Sequence, residues 1–249
     1  MFCNFSTSCS VKQAQINQFK SYKSMKKVLF LMMSVLTLTS CKIDLKDWNN
    51  TNLIEPSDKV VTESYKLQPF NEVHMRCVGA VEVIQDEKKN GTIELTAPEN
   101  YIELYKFENN GNELEIKYAK QNINIHTKNI KIKVYTTDLL ALKNSGASSI
   151  KVDNLDTDRI EIINSGVGSI NISGLADDVN LQNSGVGSIH AEELKALKVR
   201  ANVSGVGSIT CFASEEIEGR VSGVGSLKYG GNPKHKDTKR TGVGSISEL

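Results

Sequence analysis

The chain has 249 residues, of which 39% are hydrophobic and 24% charged, a composition of globular rather than disordered proteins. Aromatic residues make up only 6%, and β-branched and small residues dominate the second half, so strands are expected there. Residues 1–41 hold five of the 30 basic residues and none of the 29 acidic ones, and without them the net charge is about −4. A weakly acidic protein without a basic patch is not expected to bind nucleic acid.

Residues 25–41 have the pattern of a bacterial lipoprotein signal peptide. Two lysines follow Met25, an apolar run covers residues 28–36, and the Leu-Thr-Ser-Cys end at Cys41 resembles a lipobox. The apolar run is too short to span a bilayer comfortably. We therefore predict that Cys41 is acylated and becomes the mature N-terminus. Residues 1–24 carry no pattern and are interpreted as an over-extended start.

Residues 42–64 are predicted to be a polar tether between the lipid and the folded domain. Lys42, directly after the cysteine, resembles lipoproteins that are not retained at the inner membrane. Asp44 and Asp47 weakly resemble a surface-export signal. The sequence thus predicts an outer membrane lipoprotein, and it leaves open whether the domain faces the periplasm or the cell surface.

The folded domain is predicted to span residues 65–249, and its first part is β-rich but irregular. The Asn-Asn-Gly-Asn segment at residues 109–112 predicts a hairpin turn. Residues 75–81 resemble a degenerate repeat, and we expect this part to cap one end of a stack of repeats. Alternating apolar and polar residues predict strands over residues 81–84, 92–95, 113–118 and 130–134.

Six copies of a motif close to Asn-Ser-Gly-Val-Gly-Ser-Ile lie between residues 144 and 246, at steps of 18 to 20 residues. A strand contour of that length is about 60 Å, which suits one turn of a small β-solenoid. A leucine-rich repeat would need a leucine and asparagine consensus that this sequence lacks. The repeat therefore predicts an all-β fold, a parallel β-solenoid with coils of about 18–20 residues.

The two glycines of the motif recur at fixed places, and we predict that they are structural. Recurrent glycines mark a positive φ angle or a close approach of two backbones. Two arrangements stay open. Either the strand runs straight through the motif with valines and serines outside, or the motif is a corner that turns the valines inside, and the corner is favoured. The glycines are Gly146, Gly166, Gly168, Gly185, Gly187, Gly205, Gly207, Gly223, Gly225, Gly242 and Gly244.

Only two cysteines follow Cys41 in the sequence, Cys77 and Cys211. They are too few for a disulfide framework or a metal cluster. We expect two buried thiols, with a single bridge between them as the alternative. Residues 234–240 are rich in charge and are expected to form a loop that folds over the open edge of the final coil.

The sequence has no pattern that predicts a catalytic, cofactor-binding or metal-binding site. The serines recur in every coil, whereas a catalytic serine is normally unique and needs a histidine base. The four histidines lack the spacing of metal ligands. The motif also lacks the lysine of a phosphate-binding loop and the aspartate of calcium-binding solenoids. We expect no enzyme activity, and we interpret Asn144, Asn164 and Asn183 as a stacked amide ladder.

Several of these features together resemble a known family. They are Phe-x-x-Val at residues 70–73, Val-Gly-Ala-Val at 78–81, Gly-x-x-Leu-x-Ile at 111–116 and the serial Ser-Gly-Val-Gly-Ser-Ile. These are similar to the Bacteroidetes family Putative auto-transporter adhesin, head GIN domain, over residues 65–249. The resemblance implies a right-handed β-helix-like fold on a secreted or lipid-anchored protein, without established catalytic residues.

The expected function is that of a lipid-anchored cell-envelope protein whose structural or adhesive solenoid presents a repetitive surface. Its expected partners are the membrane, through the lipid, and a glycan or protein surface, with a homo-oligomer as a further option. The alternative is a non-catalytic glycan- or lipid-binding surface protein. A polysaccharide-degrading β-helix enzyme is the least favoured hypothesis.

Overall fold

The computed structural model describes residues 53–249, which form a β-solenoid with a short 3-10 helix at Glu99–Leu104. The predicted signal peptide and Cys41 lie outside the described residues. In the described part of the chain, no helix is long and apolar enough to cross a lipid bilayer. The strands are β1 (Leu53–Ile54), β2 (Val60–Lys66), β3 (Glu72–Met75), β4 (Val78–Gln85), β5 (Thr92–Pro98), β6 (Tyr105–Asn110), β7 (Glu113–Tyr118), β8 (Asn124–Ile125), β9 (Lys131–Thr136), β10 (Ala141–Asn144), β11 (Ala147–Asn164), β12 (Val167–Asn183), β13 (Val186–Val203), β14 (Val206–Val221), β15 (Val224–Gly230), β16 (His235–Arg240) and β17 (Val243–Glu248).

The coils stack through parallel strands in register, which confirms the predicted solenoid. Strands β11 to β14 are each 16 to 18 residues long, and these four strands pair consecutively along most of their length. The repeated isoleucine of the motif builds the core, because each of its copies up to β15 is almost completely buried. This column is Val81, Ile150, Ile170, Ile189, Ile209, Leu227 and Ile246.

The N-terminal part forms two irregular coils and a cap, but the coils are out of chain order. Strands β3 and β4 lie directly against β10 and β11, so residues 75–81 are part of a degenerate coil, as predicted. Strands β7 and β9 form the coil beyond them, although they come later in the chain. Antiparallel strands β2, β5 and β6 occupy the free edge of that coil. The predicted hairpin joins β6 to β7 at Gly111, whose φ angle is 75°.

The folded domain begins earlier than the predicted boundary at residue 65. Strand β2 pairs with β5 along its whole length, and β1 pairs with β8. Val61 and Tyr65 of β2 pack against the core, which fixes the strand on the sheet. Residues 53–64 of the predicted tether therefore belong to the fold, and residues 42–52 lie outside the described residues.

The valines of the motif point to solvent, so the favoured arrangement with inward valines is wrong. Val167, Val186 and Val206 are 53–55% exposed. The chain does turn a corner, but at the Ser-Gly pair ahead of each valine, where the strand is interrupted. Asn164 and Ile170 lie an even number of residues apart and are both buried, so the alternation of inward and outward residues keeps its phase across the corner.

Both cysteines of the described residues are free thiols, as expected, and the alternative of a disulfide bridge is wrong. Cys77 lies just before β4 and Cys211 lies in β14, with β11, β12 and β13 stacked between them. Neighbouring coils are about 4.8 Å apart, which puts the two thiols far beyond disulfide reach. Burial raises the pKa of each thiol to about 12. Both therefore act as small core residues.

The charged segment at residues 234–240 is a strand rather than the expected loop over the edge. Most of it is β16, which pairs in parallel with β14 and continues the stack. Lys236 lies on Ile217 and Arg240 on Val221, so charged residues take positions that earlier coils fill with core residues. Lys236 Nζ lies 2.7 Å from Glu248 Oε1 of β17. Charged residues at inward positions end the core at this coil.

Candidate functional site

The corner of each coil is built from backbone hydrogen bonds that repeat along the stack. The N–H groups of Ser165 and Gly166 both donate to Asn144 O, at 2.8 and 3.0 Å. The N–H of Val167 donates to Gly146 O at 2.9 Å. Equivalent bonds recur at each later motif. The polar backbone groups of the corner are therefore satisfied within the stack, and the corner keeps one shape from coil to coil.

The glycines of the motif lie where the neighbouring coil leaves no room for a side chain. A Cβ atom on Gly187 would lie 1.8 Å from Gly168 O, and one on Gly166 would lie 2.1 Å from Gly146 O. Gly168 and Gly187 also have φ angles of 130° and 141°, which side chains rarely adopt. The same approach, at 1.7–2.2 Å from a backbone oxygen, holds for Gly146, Gly166, Gly168, Gly185, Gly187, Gly205, Gly207, Gly223, Gly225, Gly242 and Gly244.

In the first three regular coils the inside of the corner is filled by asparagine side chains, which confirms the predicted amide ladder. Asn144 Nδ2 donates to Asn164 Oδ1 at 2.9 Å, and Asn164 Nδ2 donates to Asn183 Oδ1 at 3.2 Å. Asn183 Nδ2 donates to Gly187 O at 2.7 Å. All three side chains are fully buried. In later coils Val203 and Val221 take the place of the asparagines, and the motif valines Val206 and Val224 are exposed there too.

The outside of the corner carries three parallel columns of small side chains, here named the serine–valine strip. Serine hydroxyls along a column contact one another, as in Ser188 and Ser208 with their Oγ atoms 2.8 Å apart. Five steps of about 4.8 Å make the strip about 24 Å long. The strip consists of Ser145, Ser165, Ser184, Ser204, Ser222 and Thr241; Ala147, Val167, Val186, Val206, Val224 and Val243; and Ser149, Ser169, Ser188, Ser208, Ser226 and Ser245.

The serine–valine strip contains no charged side chain, in contrast to another face of the same coils. On that face Arg159, Asp178, Lys198 and Glu216 form a column whose charges alternate in sign. Alternating charges attract their stacked neighbours and keep the face hydrated. The strip is thus distinguished by an uncharged surface in a protein whose residues are 24% charged.

One serine of the strip contacts a histidine, a pair that sequence reasoning missed because the residues are far apart in the chain. Ser145 Oγ lies 2.8 Å from His74 Nε2, and His74 Nδ1 lies 3.6 Å from Glu113 Oε1. This is the order of groups in a hydrolase triad. The N–H groups of Ser145 and Gly146, however, both donate to Met75 O, so neither is free to stabilise an oxyanion. His74 lies in β3, Glu113 lies in β7 and Ser145 follows β10, so the three side chains form contacts between the two irregular coils and the first regular coil.

No cluster of three metal-ligating side chains occurs within residues 53–249. Of the other three histidines, His126 lies near Glu55, and His190 lies near Glu192 and Thr210. His235 is exposed in β16. Within the described residues, the predicted structural glycines and asparagines lie together at the corner. The serine–valine strip on the outside of this corner is the candidate functional surface.

The chain is similar to a protein family and to several solved structures. A family model described as Putative auto-transporter adhesin, head GIN domain, matches residues 69–233. The solved structure of a putative adhesin from Bacteroides fragilis is 30% identical, with a TM-score of 0.68 over 79% of this chain and 100% of that chain. A putative adhesin from Parabacteroides merdae is 16% identical and shares the fold, with a TM-score of 0.51 over 79% of this chain and 99% of that chain. No curated protein gives a match.

Proposed function

Because this chain belongs to the family Putative auto-transporter adhesin, head GIN domain, we propose that it is a lipid-anchored adhesive protein of the outer membrane. The solenoid presents the serine–valine strip, and the strip makes the adhesive contact. The observation that carries this proposal is the exposure of the valine column on an uncharged strip, at the same place in successive coils.

Contact rather than catalysis is the function that a repeated surface serves best. A solenoid offers the same small chemistry at every coil, which suits many weak contacts made at once. Apolar side chains that stay exposed in a row mark an interaction site in soluble proteins. Ser145 and His74 lack free oxyanion donors, which also favours a binding role over a hydrolytic one.

The lipid anchor is expected to depend on Cys41 alone. Metabolic labelling of cells with a palmitate analogue should label the unmodified chain, because the Leu-Thr-Ser-Cys segment is read as an acylation site. The Cys41→Ala variant should lose the label and leave the membrane fraction. Cys77→Ala serves as the control, since that thiol is buried in the domain. Equal labelling of the Cys41→Ala variant and the unmodified chain would refute acylation at Cys41.

The adhesive role is tested with fluorescent phosphatidylcholine liposomes that carry the full chain, passed over a mucin-coated surface. Val206→Lys places a charge in the middle of the strip, and we expect retention to fall about tenfold, the change produced by about 1.4 kcal/mol. Leu175→Lys is the matched control, because Leu175 is 59% exposed but lies outside the strip. Liposomes with this control should be retained like those with the unmodified chain.

A result in which both lysine variants are retained like the unmodified chain would remove the strip from the adhesive surface. Mucin carries glycans, so free mucin glycans can be added as a competitor in this assay. If they abolish the retention that depends on the strip, the partner is a glycan. Retention that depends on the strip but not on free glycans would point to a protein partner.

A further inference from the structure

The middle of the serine–valine strip is bordered by uncharged residues on both sides. In the three central coils the neighbouring columns contain no lysine, arginine or carboxylate. Basic residues border the strip only toward its two ends. The central neighbours are Ile163, Gln182 and Asn202 on one side and Asn171, His190 and Thr210 on the other. The basic neighbours at the ends are Lys143, Lys151, Arg220, Lys228 and Lys239.

The spacing of the strip restricts what fits against it along its length. Its identical side chains recur at about 4.8 Å, the distance between hydrogen-bonded strands. Two β-surfaces with identical small side chains at this spacing can pack into a dry interface, as in a steric zipper. A second copy of this chain supplies the same spacing, the same side chains and the same lack of charge. The strip is also the outside of a corner, whereas small molecules bind in concave sites.

The size of the strip sets the strength of such a contact. With a length of about 24 Å and a width of roughly 12 Å, it offers roughly 300 Å² per copy, well below the roughly 800 Å² per partner of a stable complex. Two copies in dilute solution would therefore stay apart. Copies held on membranes have a high local concentration, and several such contacts act together.

From these observations we propose that the partner of the serine–valine strip is a second copy of the same chain. The two strips meet face to face, centred on the coils of Val186 and Val206, and the contact groups chains on one membrane. This inference rests on the proposed adhesive function, because grouped chains contact mucin several times at once, so Val206→Lys lowers mucin retention by separating the chains.

The contact is tested by disulfide trapping on liposomes that carry the mature chain, which begins at the acylated Cys41. Val186→Cys introduces a thiol in the central coils of the strip, and the two other native thiols of this mature chain, Cys77 and Cys211, are buried and do not compete. Mild oxidation should give a dimer fraction about fivefold above that of the unmodified chain, because strip contacts hold the new thiols close together. Leu175→Cys, which is equally exposed outside the strip, should give no more dimer than the unmodified chain.

A second variant separates specific contact from random collision. Val206→Lys added to Val186→Cys should reduce the trapped dimer to the level of Leu175→Cys, because two lysines would then face each other across the interface. Circular dichroism checks that both variants are folded, which their exposed positions favour. Equal dimer fractions for Val186→Cys and Leu175→Cys would overturn the inference.

The outcome is independent of the mucin assay. If Val206→Lys abolishes retention on mucin but Val186→Cys traps no dimer, the strip is adhesive and its partner is not a second copy. If Val186→Cys traps dimer and mucin retention is insensitive to the strip, the strip joins copies of this chain and another surface contacts mucin. If Val206→Lys leaves mucin retention unchanged and Val186→Cys traps no dimer, the strip has no part in adhesion.

Discussion

Replacing Gly187 by alanine is expected to lower the free energy of unfolding by about 3–5 kcal/mol, the upper range for a single substitution. The new Cβ atom would lie 1.8 Å from Gly168 O in the neighbouring coil. The φ angle of 141° at Gly187 adds backbone strain. Strand β13 is paired on both sides, so its backbone cannot move away without disturbing β12 and β14. Urea unfolding followed by circular dichroism measures the loss.

The residues on either side of Gly187 are matched controls within the same corner. Val186 is 53% exposed, so Val186→Ala should cost less than about 0.5 kcal/mol. Ser188 shares one hydroxyl contact with Ser208, so Ser188→Ala should cost about 1 kcal/mol or less. If Ser188→Ala proves worse than Gly187→Ala, the close approach of the backbones does not govern the stability of the corner.

The repeat predicted the coils well because one motif fixes both spacing and core. The step of 18 to 20 residues matches the parallel register, and the motif isoleucine forms the inward column. The direction of the valines could not be read from the same pattern. A bend at Gly-Val-Gly and a bend at Ser-Gly both fit the spacing, and they place the valine on opposite sides. In the structure each strand is interrupted at the Ser-Gly pair, and the motif valines are exposed.

The N-terminal part was predicted as strands and a cap, but its order was not. Strands β7 and β9 stack beyond β3 and β4 although they follow them in the chain, and no local pattern specifies such an order. The start of the domain was placed too late because β2 has mostly exposed residues, and only Val61 and Tyr65 face the core. The contact between His74 and Ser145 depends on this stacking and was missed for the same reason.

Deleting residues 232–249 is expected to convert the soluble domain into larger species. The deletion removes β16 and β17 and uncovers the last regular coil, where Ile217, Val221 and Leu227 are at most 1% exposed. It also leaves the edges of β14 and β15 unpaired, and an unpaired apolar edge recruits other strands. Light scattering after size exclusion, on a soluble form that begins at residue 42, measures the change in mass.

The ion pair at the end of the core allows a milder test of the same cap. Glu248→Gln keeps β17 but removes the charge that pairs with Lys236. This variant should stay the same size as the unmodified domain, because strands β16 and β17 still cover the edge. Lys236 holds the pKa of Glu248 below its usual range.

The lowered pKa gives the pair a definite pH dependence. The stabilisation by the pair is fully present above the ordinary pKa of a glutamate and is lost as the pH falls through the lowered value. The unmodified domain should therefore lose more stability than Glu248→Gln when urea unfolding is repeated at falling pH.

An unchanged mass after the deletion of residues 232–249 would show that β16 and β17 do not cap the core. An identical pH response of the two full-length forms would show that the ion pair contributes nothing to it.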